Sequence, residues 1–180
     1  MIEVGKKNKT TLAYIEQGNS YLMLHRTKKK ADPNEGKWIG VGGHVERGES
    51  IQAAMKREIM EETGLRVLKS RYVGYVDFLN SQCPSERMYI YKVPSWDGEM
   101  IECNEGELKF VDKAEIANLN LWEGDRVFMP LLESDANKPF GLTLIYEGND
   151  LKEVIGPFYK PDQKKKPKKK KGRRNGRNKA

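Results

Sequence analysis

Glu58, Glu61 and Glu62 stand at i, i+3 and i+4, the spacing that brings three carboxylates to one face of a helix. Like charges set this close repel one another by roughly 0.2–0.5 kcal/mol per exposed pair, and by more where water is excluded. A hard divalent cation relieves that repulsion, and clustered carboxylate oxygens suit Mg²⁺ or Mn²⁺. Just upstream, Gly42-Gly43 lets the backbone approach a ligand closely and offers carbonyl oxygens to the same ion. Arg57 can neutralise and orient one of the acids. A site of this kind bridges phosphate oxygens and brings a metal-bound water to phosphorus. Taken alone, an E-x-x-E-E face also suits a plain solvated helix surface.

The elements around these residues must hold them in place. Ile51, Ala54, Met55 and Ile59 form an apolar stripe that predicts a helix over 50–63, and Gly64 is placed to end it in the left-handed conformation. The glycine-rich segment 38–45 reads as extended. Upstream, 10–16 and 21–25 read as strands joined by Gln17-Gly18-Asn19-Ser20, a hairpin, and 31–37 with Asp32-Pro33-Asn34-Glu35-Gly36 as a loop. Downstream, strands are expected over 67–79, 88–93 and 107–111, a short helix over 113–117, a long helix over 121–134, and a last strand or extended arm over 139–146. No internal repeat occurs. The expected class is α/β or α+β, a mixed sheet with helices packed on it.

What ties the acids to one chemistry is the whole of 43–65, GHVERGESIQAAMKREIMEETGL. It reads Gly43, five residues, Glu49, seven residues, Arg57-Glu58-Ile59, one residue, Glu61-Glu62, one residue, Gly64-Leu65. These nine specified positions make up the full Nudix signature, and the chain resembles the Nudix hydrolase superfamily, sharply over 38–65 and less so over 10–155. The resemblance implies an α/β/α sandwich with a mixed central sheet, the box forming a loop–helix–loop. It also implies hydrolysis of a nucleoside diphosphate linked to another moiety, with Mg²⁺ or Mn²⁺. Carried over by position, Glu58, Glu61 and Glu62 are metal ligands joined by the Gly42 carbonyl, while Arg57 and Glu49 support them. A further carboxylate outside the box, as ligand or as base for the attacking water, is expected at Glu105, five residues before Phe110, ahead of its neighbours Glu102 and Glu107. Glu58, Glu61, Glu105 and Arg57 are then the catalytic set.

Within the superfamily the chain is most similar to MutT-type enzymes, which hydrolyse 8-oxo-dGTP and related triphosphates to the monophosphate and pyrophosphate. Leu22-Met23-Leu24-His25-Arg26, Lys37-Trp38-Ile39-Gly40-Val41-Gly42-Gly43 and Leu121-Trp122-Glu123-Gly124-Asp125 carry this likeness. It implies Trp122 stacking on a base and Asp125 reading its edge, with Arg26, Trp38, Gly43 and His44 completing the substrate site. Trp122 also suits the core of its own helix, and His44 suits either phosphate contact or free solvent. The chain departs at Ile39, where the human-type enzyme has asparagine, and at Gly124, where it has the first of two aspartates. A missing hydrogen-bond partner weakens discrimination between bases. ADP-ribose, a dinucleoside polyphosphate and a capped RNA 5′ end are the alternative substrates. A non-catalytic nucleotide- or RNA-binding module is a further alternative, opposed by retention of every box glutamate.

At 180 residues, 37% hydrophobic and 33% charged, the chain suits one soluble domain. No stretch approaches the roughly 20 apolar residues of a membrane span, and the N-terminus has no signal-peptide core. A cytoplasmic location is expected. Cys83 and Cys103 form no CxxC pair and read as reduced thiols. The net charge of +7 belongs to residues 160–180, which hold twelve Lys/Arg and one Asp; residues 1–159 hold 21 basic and 25 acidic residues, a net −4. The expected organisation is a catalytic domain over 1–159 and a disordered basic tail over 160–180. That tail suits either a weak anchor to nucleic acid or an anionic surface, or a solubilising extension. The sequence sets no oligomeric state.

Overall fold

Alternating burial along the first strand sets the plan of the molecule. A computed structural model describes residues 8–134 and 138–159. In β1 (Asn8–Gln17), Tyr14 enters one hydrophobic core while Ala13 and Ile15 enter another on the opposite face. Gly18, at φ 57°, provides the left-handed residue that a tight hairpin needs before β2 (Ser20–Arg26). β1 and β2 pair antiparallel at Glu16↔Tyr21 and Gln17↔Ser20, beside the turn, and then separate. β2 goes on to pair with β3 (Trp38–Ile39) and β6 (Gly106–Asp112), both antiparallel. β1 runs parallel to β5 (Glu86–Asp97), which pairs antiparallel with β4 (Arg66–Asn80). β4 lies parallel to β7 (Phe140–Glu147), and β8 (Asp150–Tyr159) closes the far edge antiparallel to β7. The order is β3-β2-β1-β5-β4-β7-β8, with β6 beside β2, a mixed sheet.

Helix α1 (Ile51–Thr63) is bounded as its sequence predicts. The Ser50 side chain accepts from the Ala53 N–H, and Gly64 at φ 74° returns its own N–H to the Met60 carbonyl. Its buried residues include Ala54, Met55 and Ile59, the last two packing with Leu22, Val41 and Val93. Burying each large side chain contributes about 1.5–3 kcal/mol. The other face, around Tyr14, Ile90, Phe140 and Leu144, is covered by α2 (Glu123–Phe128). Helix, sheet and helix make the expected α/β/α sandwich.

Four local expectations change. The helix over 121–134 is short: α2 stops at Phe128 and a 3₁₀ segment, Met129–Glu133, follows. Pro130 lacks an N–H and its ring crowds the carbonyl four residues back, so an α-helix cannot run through it. The helix over 113–117 is instead a turn, with Asp112 Oδ1 accepting from the Ala114 N–H, and then a 3₁₀ segment at Ile116–Asn118. Of the extended segment 38–45, only β3 pairs as a strand; beyond it stand isolated bridges, Ala13↔Val41 and Thr10↔His44. β8 has no counterpart among the expected elements. Both cysteines are free, no helix among the described residues is long and apolar enough to cross a membrane, and the basic tail over 160–180 lies outside the described residues.

Candidate active site

One guanidinium organises the box. Arg57 donates from Nε and Nη2 to the Glu49 carboxylate at 2.9 and 3.0 Å, from Nη1 to Glu58 at 2.8 Å and Glu61 at 3.3 Å, and from Nη2 to the His44 carbonyl at 3.0 Å. It thereby ties the loop before α1 to the helix face that carries the acids. Glu49 is held below the usual carboxylate range by its hydrogen bond to Arg57, and Arg57 is raised in turn by Glu49 and Glu58. The Glu58 side chain is 15% exposed and that of Glu61 58%, so the two acids face the site from different depths.

The glycine pair fits closely between β1 and these acids. The Val41 carbonyl accepts from the Ala13 N–H at 2.7 Å and the Gly43 carbonyl from the Thr11 N–H at 2.8 Å. Alternation along the extended backbone turns the intervening Gly42 carbonyl away from β1. Neither glycine has room for a side chain: at Gly42 the obstacle is the Thr11 backbone, at Gly43 the Glu58 carboxylate.

Glu62 lies deeper. Its Oε2 is buried and has no hydrogen-bond partner among the described residues. Burial, then the neighbouring Glu105 and Glu58, push its carboxyl up to about 8. Glu105 therefore lies beside Glu62 of the box. Glu102 instead pairs with Lys28 at 2.7 Å, and Glu107 projects, exposed, from β6. Glu105 is held by Arg26, whose Nε also donates to Asp32 Oδ2 at 2.7 Å. Arg26, expected to bind substrate, is thus nearly buried between two carboxylates.

Among the described residues no group of three or more His, Cys, Asp or Glu side chains forms a ready-made metal cage. The donors nevertheless suit a divalent cation: an orphaned buried carboxylate oxygen on Glu62, and a glycine cradle against Glu58. Glu58, Glu61, Glu62, Glu105 and the Gly42 carbonyl are the oxygen donors available to it.

A second group of residues lies on the other face of the sheet. Trp122 is half-buried, edge-on to Tyr146 (centroids 5.5 Å apart, planes at 87°) and to Phe78 (6.2 Å, 69°), with Lys37 Nζ 5.1 Å over its ring. Its Nε1 donates to Asn34 Oδ1 at 2.8 Å. Packing and polar contact coexist here: Trp122 lies at the margin of the core and is also held by Asn34. Asp125 is buried, and burial pushes its carboxyl up to about 7. Gly124 is tightly enclosed: a Cβ there would lie 2.3 Å from Leu144 Cδ1, so an aspartate in its place would have to displace that side chain, and its N–H donates to the Tyr146 hydroxyl at 2.7 Å. Trp38 stacks on His25 with centroids 4.4 Å apart and planes at 4°. His44 is exposed and shares an isolated bridge with Thr10. Asp32, Asn34, Lys37, Phe78 and Tyr146 are site neighbours that the sequence reading did not single out. The turn signal at Asp32-Pro33-Asn34 is the one hint of them.

The NUDIX domain family model matches residues 6–132. The oxidized purine nucleoside triphosphate hydrolase of Danio rerio is 31% identical over 124 residues, covering 68% of this chain and 77% of that protein. An uncharacterized Nudix hydrolase of Bacillus subtilis, YvcI, is 33% identical over 122 residues, covering 65% of this chain and 73% of that one. The crystal structure of a MutT protein from Bacillus halodurans matches with a TM-score of 0.72 at 26% identity, covering 82% of this chain and 96% of that one. Box, fold and relatives agree: the chain belongs to the Nudix hydrolase family, in its MutT-like branch.

Proposed function

We propose that the chain is a MutT-type pyrophosphohydrolase that cleaves (8-oxo-)deoxynucleoside triphosphates to the monophosphate and pyrophosphate in the cytoplasm, keeping oxidised nucleotides out of DNA. The observation that carries this reading is the pairing of the half-buried Trp122 with the buried Asp125 at the start of α2, a flat apolar surface beside a group able to hydrogen-bond a base edge. The names of the Danio rerio and Bacillus halodurans relatives support it.

The residues divide the work. Glu58, Glu61 and Glu62, with the Gly42 carbonyl, would hold Mg²⁺ or Mn²⁺. Such an ion supplies charge neutralisation on the polyphosphate and acidifies a bound water. Arg57 keeps Glu58 and Glu61 in place from behind. Glu105, or a box glutamate, takes the proton of the attacking water. The water's oxygen bonds to phosphorus as the anhydride P–O bond breaks, and the bonding pair leaves on pyrophosphate or on the nucleotide, according to which phosphorus is attacked. Trp122 and Asp125 fix the nucleoside so that the anhydride lies over the carboxylates.

The test is a panel of 8-oxo-dGTP, dGTP, ADP-ribose, a dinucleoside polyphosphate and a capped RNA with Mg²⁺ and with Mn²⁺, scoring phosphate and pyrophosphate. Preference for 8-oxo-dGTP with pyrophosphate release is the expected result. Preference for any of the last three moves the chain to another Nudix substrate, and no turnover at all makes it a binding module.

A further inference from the structure

The segment between β2 and β3 joins the two halves of the site. It is folded on itself by bonds from the Glu35 N–H to the Asp32 carbonyl and from the Lys37 N–H to the Asn34 carbonyl, each 2.9 Å. The Asp32 carboxylate is used twice: Oδ2 accepts from Arg26 Nε at 2.7 Å, and Oδ1 from the Asn34 N–H at 3.0 Å. Asn34 then reaches across to Trp122, accepting from the indole N–H at 2.8 Å. At the other end, Arg26 holds Glu105, which faces Glu62. Glu105, Arg26, Asp32, Asn34 and Trp122 thus form one continuous run of polar contacts.

We infer that Asp32 and Asn34 are positioning residues that couple the nucleobase platform to the acid serving the water. The inference rests on the roles proposed above for Trp122 and Glu105. The Asp32 and Arg26 side chains are 6% and 10% exposed, so the buried Asp32 charge is compensated by Arg26, which it shares with Glu105. A guanidinium presents its donors in a rigid fork. With Asp32 fixing one side of that fork, the other side has one direction, and it points to Glu105. Asn34 performs the matching task for the indole: its amide oxygen locks the ring plane on which a base would stack. A nucleotide that seats well on Trp122 therefore meets an acid already aimed, because both are held by the same short segment.

The test uses the full chain with Mg²⁺ and two substrates: its preferred nucleoside triphosphate, and a deoxyribose 5′-triphosphate lacking the base. Asn34→Ala should raise KM for the nucleotide about tenfold, the value of one hydrogen bond, and leave the base-free substrate within about twofold. Asp32→Asn should lower kcat at least about tenfold on both substrates, since a guanidinium that has lost its Asp32 anchor still pairs with Glu105 but no longer holds it in one direction. Trp122→Phe, which keeps a ring and loses the N–H, should add little to Asn34→Ala in the double variant. If Asp32→Asn fails to fold, Arg26→Met with Asp32→Leu removes the buried pair and leaves the partly exposed Glu105 with Lys29 Nζ at 3.7 Å, and the same loss of kcat is expected. Equal effects of Asn34→Ala on both substrates, or none on either, overturn the inference, as does full kcat in the Asp32 variants. A wild-type chain that cleaves no nucleoside triphosphate overturns the proposed substrate instead, a result visible before any variant is made.

Discussion

Gly43 lies directly against the carboxylate of Glu58: a Cβ on Gly43 would stand 2.6 Å from Glu58 Cδ and 2.7 Å from both carboxylate oxygens. Gly42, its neighbour, is crowded by a different partner, since a Cβ there would lie 1.9 Å from the Thr11 carbonyl oxygen. The two alanine variants should therefore fail differently. Gly43→Ala displaces an acid side chain, and kcat should fall about 100-fold while melting changes little. Gly42→Ala forces backbone apart from β1 and should cost about 1–3 kcal/mol of stability. Activity and thermal melts on the two proteins separate the effects; the reverse pattern would sink the assignment of Glu58.

Glu61 carries its role on an exposed carboxylate whose partner is Arg57 at 3.3 Å. Glu61→Gln keeps the shape and removes the charge. Turnover should fall by roughly two orders of magnitude or more, with the melting temperature unchanged within about 2 °C, because surface pairs contribute little to stability. Steady-state rates with Mg²⁺ check this, and near-normal turnover would remove Glu61 from the catalytic set.

Asp125 makes stability depend on pH. Its carboxyl is raised from 3.8 to about 7 by burial. Between those values the folded chain keeps a proton that the unfolded chain has released, so stability is highest near pH 4 and declines as pH rises to about 7. Above that Asp125 contributes no further loss. The span is on the order of a few kcal/mol. Asp125→Asn should make the decline shallower by the share of Asp125, leaving that of Glu62, whose carboxyl is raised to about 8, and should melt close to wild type at pH 4 and higher than wild type at pH 8. Parallel slopes in the two proteins would show that Asp125 ionises freely in the fold.

Removing residues 160–180 takes away twelve Lys/Arg and leaves a chain of net charge −4. If the segment contacts nucleic acid, the 1–159 truncation should lose most of its affinity for single strands and duplexes, and the salt dependence should flatten. Gel shifts at two salt concentrations read both quantities. Equal affinity with and without the segment would leave it a solubilising role, while nucleotide hydrolysis should be the same in either case.

The parts legible in the sequence are those whose causes are local. Ser50, the stripe of Met55 and Ile59, and Gly64 bound α1 through contacts within a few residues, and the box glutamates inherit their common face from it. The segment over 121–134 misled because its apolar residues are spaced for a helix while one imino acid, Pro130, forbids the continuation. β8 was missed because Val154, Ile155, Phe158 and Tyr159 are exposed and show no regular alternation, with Gly156-Pro157 among them. That Asp32 and Glu105 meet at the Arg26 guanidinium is not visible in the sequence, because the three are brought together only by the fold. Asn34 was hidden for the same reason: it reads as a turn residue, and its partner Trp122 is 88 positions away. The need for glycine at Gly124 likewise depends on Leu144 and Tyr146, which only the packed β7 brings near.

The division of β1, with Tyr14 on one side and Ala13 and Ile15 on the other, gives the molecule two interiors that can be altered separately. The box glutamates ride on the helix whose Met55 and Ile59 build one layer, and Trp122, proposed to stack on a base, borders the layer built around Phe128 and Tyr146. A lineage can therefore exchange one clientele for another by repacking the second interior, while the machinery of bond cleavage is inherited intact through the first. The loop holding Asp32 and Asn34 is the place where such a change would have to be re-tuned.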